Sequence, residues 1–185
     1  MINFSFNEQK ATEAACHLLK FNNGKMNYMK LVKLLYLADR KALEHWGRTI
    51  TGDSFVSLNH GTILSTILNI IRHDEMGTIG IYWKKYITKN PPTYEVSIIS
   101  DPGINELCKA EIELLEEIFK EFKDKNQWDM RDYCHQLPEW TDPHGSAIPI
   151  QFEEILKCVG KTPQEISAID EEICAADYAR RLFGC

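Results

Sequence analysis

The stretch from Asn27 to Gly47, NYMKLVKLLYLADRKALEHWG, constrains this chain more than any other. Wound at about 100° per residue, it sets Tyr28, Leu31, Leu35, Ala38 and Ala42 in one apolar stripe, flanked by Met29, Val32, Tyr36, Leu43 and Trp46. A surface helix needs an apolar band of roughly 100°, and this one carries about twice that. It therefore reads as a central helix wrapped by other elements, with Lys30, Lys33, Arg40, Lys41 and Glu44 forming a solvated remainder. Asp39 breaks the pattern by projecting into the apolar arc between Leu35 and Leu43. A buried carboxylate must be paired, hydrogen-bonded or protonated. The segment that follows, GRTITGDSFVSLNHG, offers Arg48, His60 and the backbone amides of glycine turns as partners.

The flanking segments supply the wrapping. A helix is predicted from Asn7 to about Phe21, stopped by Asn22-Asn23-Gly24 in the manner of a left-handed C-cap. A short apolar piece, Phe55 to Leu58, precedes a third helix predicted from about Thr62 to Arg72. Residues 81–87 and 93–99 are rich in aromatic and β-branched side chains and are separated by Pro91-Pro92. They read as a β-hairpin, with Phe55–Leu58 as a candidate third strand. Helices are predicted at 105–123, 129–136 and 151–158. A last one opens at Thr162-Pro163-Gln164-Glu165, a capping box with proline in the first turn. The expected fold is α+β and mostly α-helical: a single compact domain over residues 1–185, built around a buried central helix with a small hairpin or three-stranded sheet.

Composition narrows function. No apolar run approaches the roughly 18 residues that cross a bilayer, and MINFSFNEQK has neither the basic start nor the apolar core of a signal peptide. The six cysteines (Cys16, Cys108, Cys134, Cys158, Cys174 and Cys185) form no CxxC pair, which fits reduced cytoplasmic thiols better than disulfides or a zinc site. A net charge of −6 disfavours a generic nucleic-acid binder and suits a basic protein partner.

Candidate catalytic groups are weak. His60, Asp53 and Ser65 lack the serine elbow of a hydrolase, so His60 reads as structural, bonded to the Gly52-Asp53 loop or to Asp39. Cys134-His135 with Asp142 and His144 lacks a second spaced ligand pair. Lys25 and the helix cations read as a solvated face, and Glu111, Glu113, Glu116, Glu117 and Glu121 as an exposed helix face. Trp83, Lys84, Lys85 and Tyr86 suit stacking on single-stranded nucleic acid, but the acidic balance argues against it. No phosphate loop, dinucleotide fingerprint or HExxH appears, and no cofactor or metal is expected.

The run from Lys30 to Leu68 resembles the SocA-like antitoxin family, whose domain is also called Panacea. The family's helix reads KLxKLLYxADxxxLxxxGxxIxG, matched here by Lys30, Leu31, Lys33, Leu34, Leu35, Tyr36, Ala38, Asp39, Leu43, Gly47, Ile50, Gly52 and, further on, Gly61. Leu137-Pro138-Glu139-Trp140-Thr141-Asp142-Pro143 is similar to its second signature, xPEWxxP. Thr62 departs from the proline usual after that last glycine. The resemblance implies a phage-associated type II antitoxin, not an enzyme, that binds a toxin encoded by an adjacent gene, such as an inhibitor of translation or growth. On this reading Asp39, Gly47, Gly52, Asp53, His60, Gly61 and Trp140 form the scaffold motif. Trp83, Lys84, Lys85, Tyr86, Glu113 and Glu117 are the expected toxin contacts. Homo-oligomers or a hetero-oligomer with the toxin are compatible with it, and no sequence-specific DNA binding is expected. Two alternatives stay open: an adaptor that delivers the toxin to a protease, and a hydrolase acting through His60 and Asp53.

Overall fold

The structure is a computed structural model that describes residues 2–73 and 77–183; Cys185 lies outside them. It is an α+β fold, mostly helical, with two small antiparallel sheets. Helix α1 (Glu8–Phe21) leads into strand β1 (Lys25–Asn27) and then α2 (Tyr28–Trp46). Strands β2 (Phe55–Leu58) and β3 (Gly61–Leu64) run into α3 (Ser65–Arg72). Strands β4 (Ile87–Asn90) and β5 (Glu95–Ile98) precede α4 (Lys109–Phe122) and α5 (Gln127–His135). Strand β6 (Ile148–Ile150), α6 (Phe152–Cys158) and α7 (Pro163–Phe183) complete the chain.

Helix α2 is the axis, and its ends are set by local chemistry. The Asn27 side chain accepts the Met29 amide at its start. Gly47 ends it with φ +66°, the left-handed conformation that costs glycine least. From Lys30 to Asp39 every residue of α2 is buried. Helices α1, α4, α5, α6 and strand β3 pack around it.

That wrapping goes further than its sequence pattern predicts. Lys30 and Lys33 do not lie on a solvated face: Lys33 is 0% exposed and Lys30 8%. Lys30 reaches the carbonyl of Lys123 at 2.8 Å, the end of α4, where carbonyls without helical partners attract cations. Lys33 donates to the Thr62 carbonyl at 3.2 Å. Long lysine stems fill space like apolar chains when a carbonyl meets the ammonium, so periodicity alone mistakes them for solvent-facing residues.

Three further expectations are corrected. Gly61–Leu64 is strand, not the first turn of the third helix; β3 pairs with β2, and α3 begins only at Ser65. Phe55–Leu58 does not join the proline-linked hairpin. It is the centre of a β3–β2–β6 sheet, whereas the hairpin takes β1 as its third strand, in the order β1–β5–β4. The hairpin itself starts late, because Trp83–Lys85 forms a 3₁₀ turn with Trp83 buried. Aromatic content reports a half-buried environment as much as a strand.

The glycine loop after α2 runs under the N-terminal segment. A Cβ on Gly52 would lie 2.1 Å from the Ser5 carbonyl oxygen, and its φ is +71°. Gly24 has a similar φ of +77° with nothing within 4 Å. Gly24→Ala is therefore expected to cost about 1 kcal/mol of backbone strain, and Gly52→Ala clearly more. Urea denaturation midpoints of the two variants measure the difference.

Candidate functional site

Three buried carboxylates organise the residues around α2. The first is Asp39, 0% exposed. One of its oxygens accepts the amides of Ile50 at 2.7 Å and Thr51 at 3.0 Å; the other accepts the Thr51 hydroxyl in a short hydrogen bond. Of the partners foreseen, the backbone amides are the right ones; Arg48 and His60 are not engaged. Burial, reinforced by the nearby Asp53 carboxylate, outweighs these hydrogen bonds and pushes the Asp39 pKa up to about 7.

The second is Asp53, which caps α3. It accepts the amides of Thr66 at 2.8 Å and Ile67 at 2.9 Å, and that of Ser54 at 2.6 Å. Free amides and positive dipole at a helix start favour a carboxylate there, although burial pushes this pKa up as well. Thr51 links the two sites, because its hydroxyl accepts the Asp53 amide at 3.1 Å while donating to Asp39.

The third is Glu139. It accepts the Tyr36 hydroxyl at 2.8 Å and the Arg40 Nε at 2.6 Å, with Arg40 Nη2 at 3.3 Å from its other oxygen. Burial and this neighbouring carboxylate raise the Tyr36 pKa, keeping the phenol protonated to donate. The adjacent Trp140 donates its indole N–H to the Leu58 carbonyl at 3.1 Å and packs on His135 with ring centroids 4.3 Å apart. The two separated sequence signatures thus meet in space: Tyr36 and Arg40 come from the first and Glu139 from the second.

Gly61 lies in the same crowded region. A Cβ there would come 2.8 Å from Lys33 Nζ and 2.9 Å from Cys134 Cβ. Burial lowers the Lys33 pKa and raises that of Cys134.

His60 stands apart from all of this. It is exposed on the β2–β3 turn, where its ring faces Trp128 with centroids 6.1 Å apart. No hydrogen bond joins it to Asp53, whose oxygens are committed to backbone amides. The expected structural bonding of His60 to Asp39 or the Gly52-Asp53 loop is absent, and a His60–Asp53 hydrolase pair is not assembled. Cys134 is buried while Asp142 and His144 are exposed, so these do not converge either.

The expected toxin contacts are also redistributed. Lys84, Lys85, Glu113 and Glu117 are exposed, Tyr86 is half-buried and Trp83 is enclosed. Glu111 leaves the acidic face altogether: it is 1% exposed and bonded to Lys10 Nζ at 2.7 Å. Burial opposes its ionisation, but the Lys10 ammonium and the Cys108 amide hold its pKa below the usual carboxylate value. Cys108 is the N-cap of α4.

The model of the SocA-like antitoxin family, the Panacea domain, matches residues 31–141, from the second residue of the KL motif to the residue after Trp140. The chain belongs to the SocA-like, Panacea-domain antitoxin family. No curated protein and no solved structure matches the chain. The match covers most of α2 with Asp39, the loop carboxylate Asp53, the hairpin, α4, α5 and the Glu139-Trp140 signature, and the family supports an antitoxin role and suggests a non-catalytic one. Among the described residues, no helix is long and apolar enough to cross a membrane.

Because the folded pKa of Asp39 is raised above the unfolded value of 3.8, the native state binds more protons than the unfolded state between about pH 4 and pH 7. Its contribution is complete below that window and is lost as pH rises through it. Urea midpoints should fall from pH 5 to pH 8, and Asp39→Asn, which stays neutral, should flatten that dependence. Asp39→Ala should lose about 2–5 kcal/mol by stranding two buried amides. Glu139→Ala, which leaves Arg40 and Tyr36 without their acceptor, should cost about 3–5 kcal/mol in the same assay.

Proposed function

We propose that this protein is the antitoxin of a type II toxin–antitoxin pair, a single cytoplasmic domain that neutralises a toxin encoded by an adjacent gene through direct stoichiometric binding. The observation that carries the reading is the family match over residues 31–141. The geometry of the motif residues supports it. Asp39, Asp53 and Glu139 spend their oxygens on internal hydrogen bonds, which suits a scaffold better than a catalytic centre, where a base must reach a substrate proton.

In this reading Asp39, Gly47, Gly52, Asp53, Gly61 and Trp140 maintain the shape of the domain, and His60 belongs to its surface. Toxin contacts come from exposed parts, including Lys84, Lys85, Tyr86, Glu113 and Glu117, with the enclosed Trp83 supporting the turn that presents the lysines. The toxin inhibits translation or growth, and masking its surface is sufficient to neutralise it. The domain carries no operator-binding role of its own.

Expression of the adjacent reading frame alone should arrest growth. Co-expression with this protein should restore growth and yield a complex on a tag, with toxin levels unchanged. Falling toxin levels on co-expression would indicate an adaptor for proteolysis, and a harmless neighbour that forms no complex would contradict the antitoxin reading.

A further inference from the structure

An open apolar groove of about 380 Å³ lies where five parts of the fold meet, the β2–β3 pair among them with Leu58 and Ile63. The first turns of α2 bring Tyr28, Met29 and Val32, and α3 brings Leu68 and Arg72. The β4–β5 turn adds Tyr94, and the start of α5 adds Trp128. Its two rim aromatics are unusually open for their size: Tyr94 is 65% exposed and Trp128 47%. Exposed aromatics around a formed apolar pocket are the feature that marks binding surfaces.

Arg72 also borders a second groove, again of about 380 Å³, between α3 and the hairpin, which it lines together with Lys84 and Lys89. The two grooves therefore share one wall residue. Among the described residues of the two linings, Arg72 and Lys89 are cations on the outer walls, and none is an aspartate or glutamate. Arg72 makes no ion pair or hydrogen bond with any described side chain.

We propose that these adjoining grooves are the surface that holds the toxin, and that the toxin segment they take presents an aromatic or aliphatic side chain beside one or more carboxylates. The proposal rests on the antitoxin reading above and adds to its contacts an anchor site and a partner chemistry. The apolar anchor enters the pocket between Tyr94 and Trp128, while the carboxylates meet Arg72 and Lys89. Charge complementarity of this kind fixes register and speeds encounter, and a buried anchor supplies most of the affinity. Aliphatic walls come from Met29, Val32, Leu58, Ile63 and Leu68, with Asn27, His60 and Gln127 as the polar lining beside Arg72. The chain's net charge of −6 disfavours a nucleic-acid occupant, so a protein side chain is the assigned guest.

The test titrates the purified product of the adjacent gene against the full chain and against Trp128→Ala and Arg72→Glu. Both substitutions are on accessible side chains, and thermal melts confirm folding; Tyr94→Ala replaces either one that melts early. Each variant should weaken binding by roughly thirtyfold or more, the loss typical of a hot-spot residue. A random peptide library panned on the wild-type chain should independently enrich peptides with an apolar residue next to Asp or Glu, and these should compete with the toxin. A neighbour that binds wild type and variants equally overturns the groove and leaves the antitoxin reading intact. A neighbour that does not bind wild type, while groove-dependent peptides do, overturns the toxin as occupant. Competition by single-stranded oligonucleotides, in place of acidic peptides, would overturn the assignment to a protein segment.

Discussion

The hydrogen bonds from Ile50 and Thr51 to Asp39 are the constraint on which the rest of the structure depends. They pin the glycine loop after α2 back onto the middle of that helix. The same loop then delivers Asp53 to the start of α3 and Gly52 beneath the Ser5 carbonyl. One buried carboxylate thereby sets the positions of α3, of the β2–β3 strands that lead into it and of the N-terminal segment. Bulk stabilisation comes from apolar burial around α2. Which packing is adopted is decided by polar groups that have only one satisfactory arrangement.

The same division of labour runs along α2. Its apolar arc could meet several partners, but Lys30 fits only a carbonyl cluster such as the end of α4, and Tyr36 with Arg40 fits only an acceptor such as Glu139. Residues more than ninety positions apart are joined in this way. A buried pair of this sort adds little net stability compared with an apolar substitute, but losing one partner is costly. The polar links therefore act mainly on specificity. The motif residues are thereby occupied within the fold, and the exposed surface around them is held in one shape.

The central helix, its caps and the burial of Asp39 were all legible in the sequence, because a periodic apolar arc, Asn27 and Gly47 are local signals. So were the capping box at Thr162 and the joint significance of the two signatures. What escaped was tertiary in origin. Lys33 and Glu111 read as surface residues since their burial depends on Thr62 and Lys10, which lie far away in the chain. Gly61–Leu64 reads as a helix start, and only its pairing with β2 makes it a strand. His60 looked like a partner for Asp39 through nearness in sequence, yet the β2–β3 turn carries it to Trp128. The groove between Tyr94 and Trp128 has no sequence signal, because it is built from separate parts of the chain between Asn27 and Trp128.

Native-state hydrogen exchange at the Ile50 and Thr51 amides tests the account most directly. If the Asp39 bonds hold the loop to α2 as described, these two amides should open only with the whole domain, with the same opening free energy as the Leu35 amide in the core of α2. Exchange through a much cheaper local opening, while α2 stays protected, would contradict it: the loop would then be an appendage of the helix and not its lock.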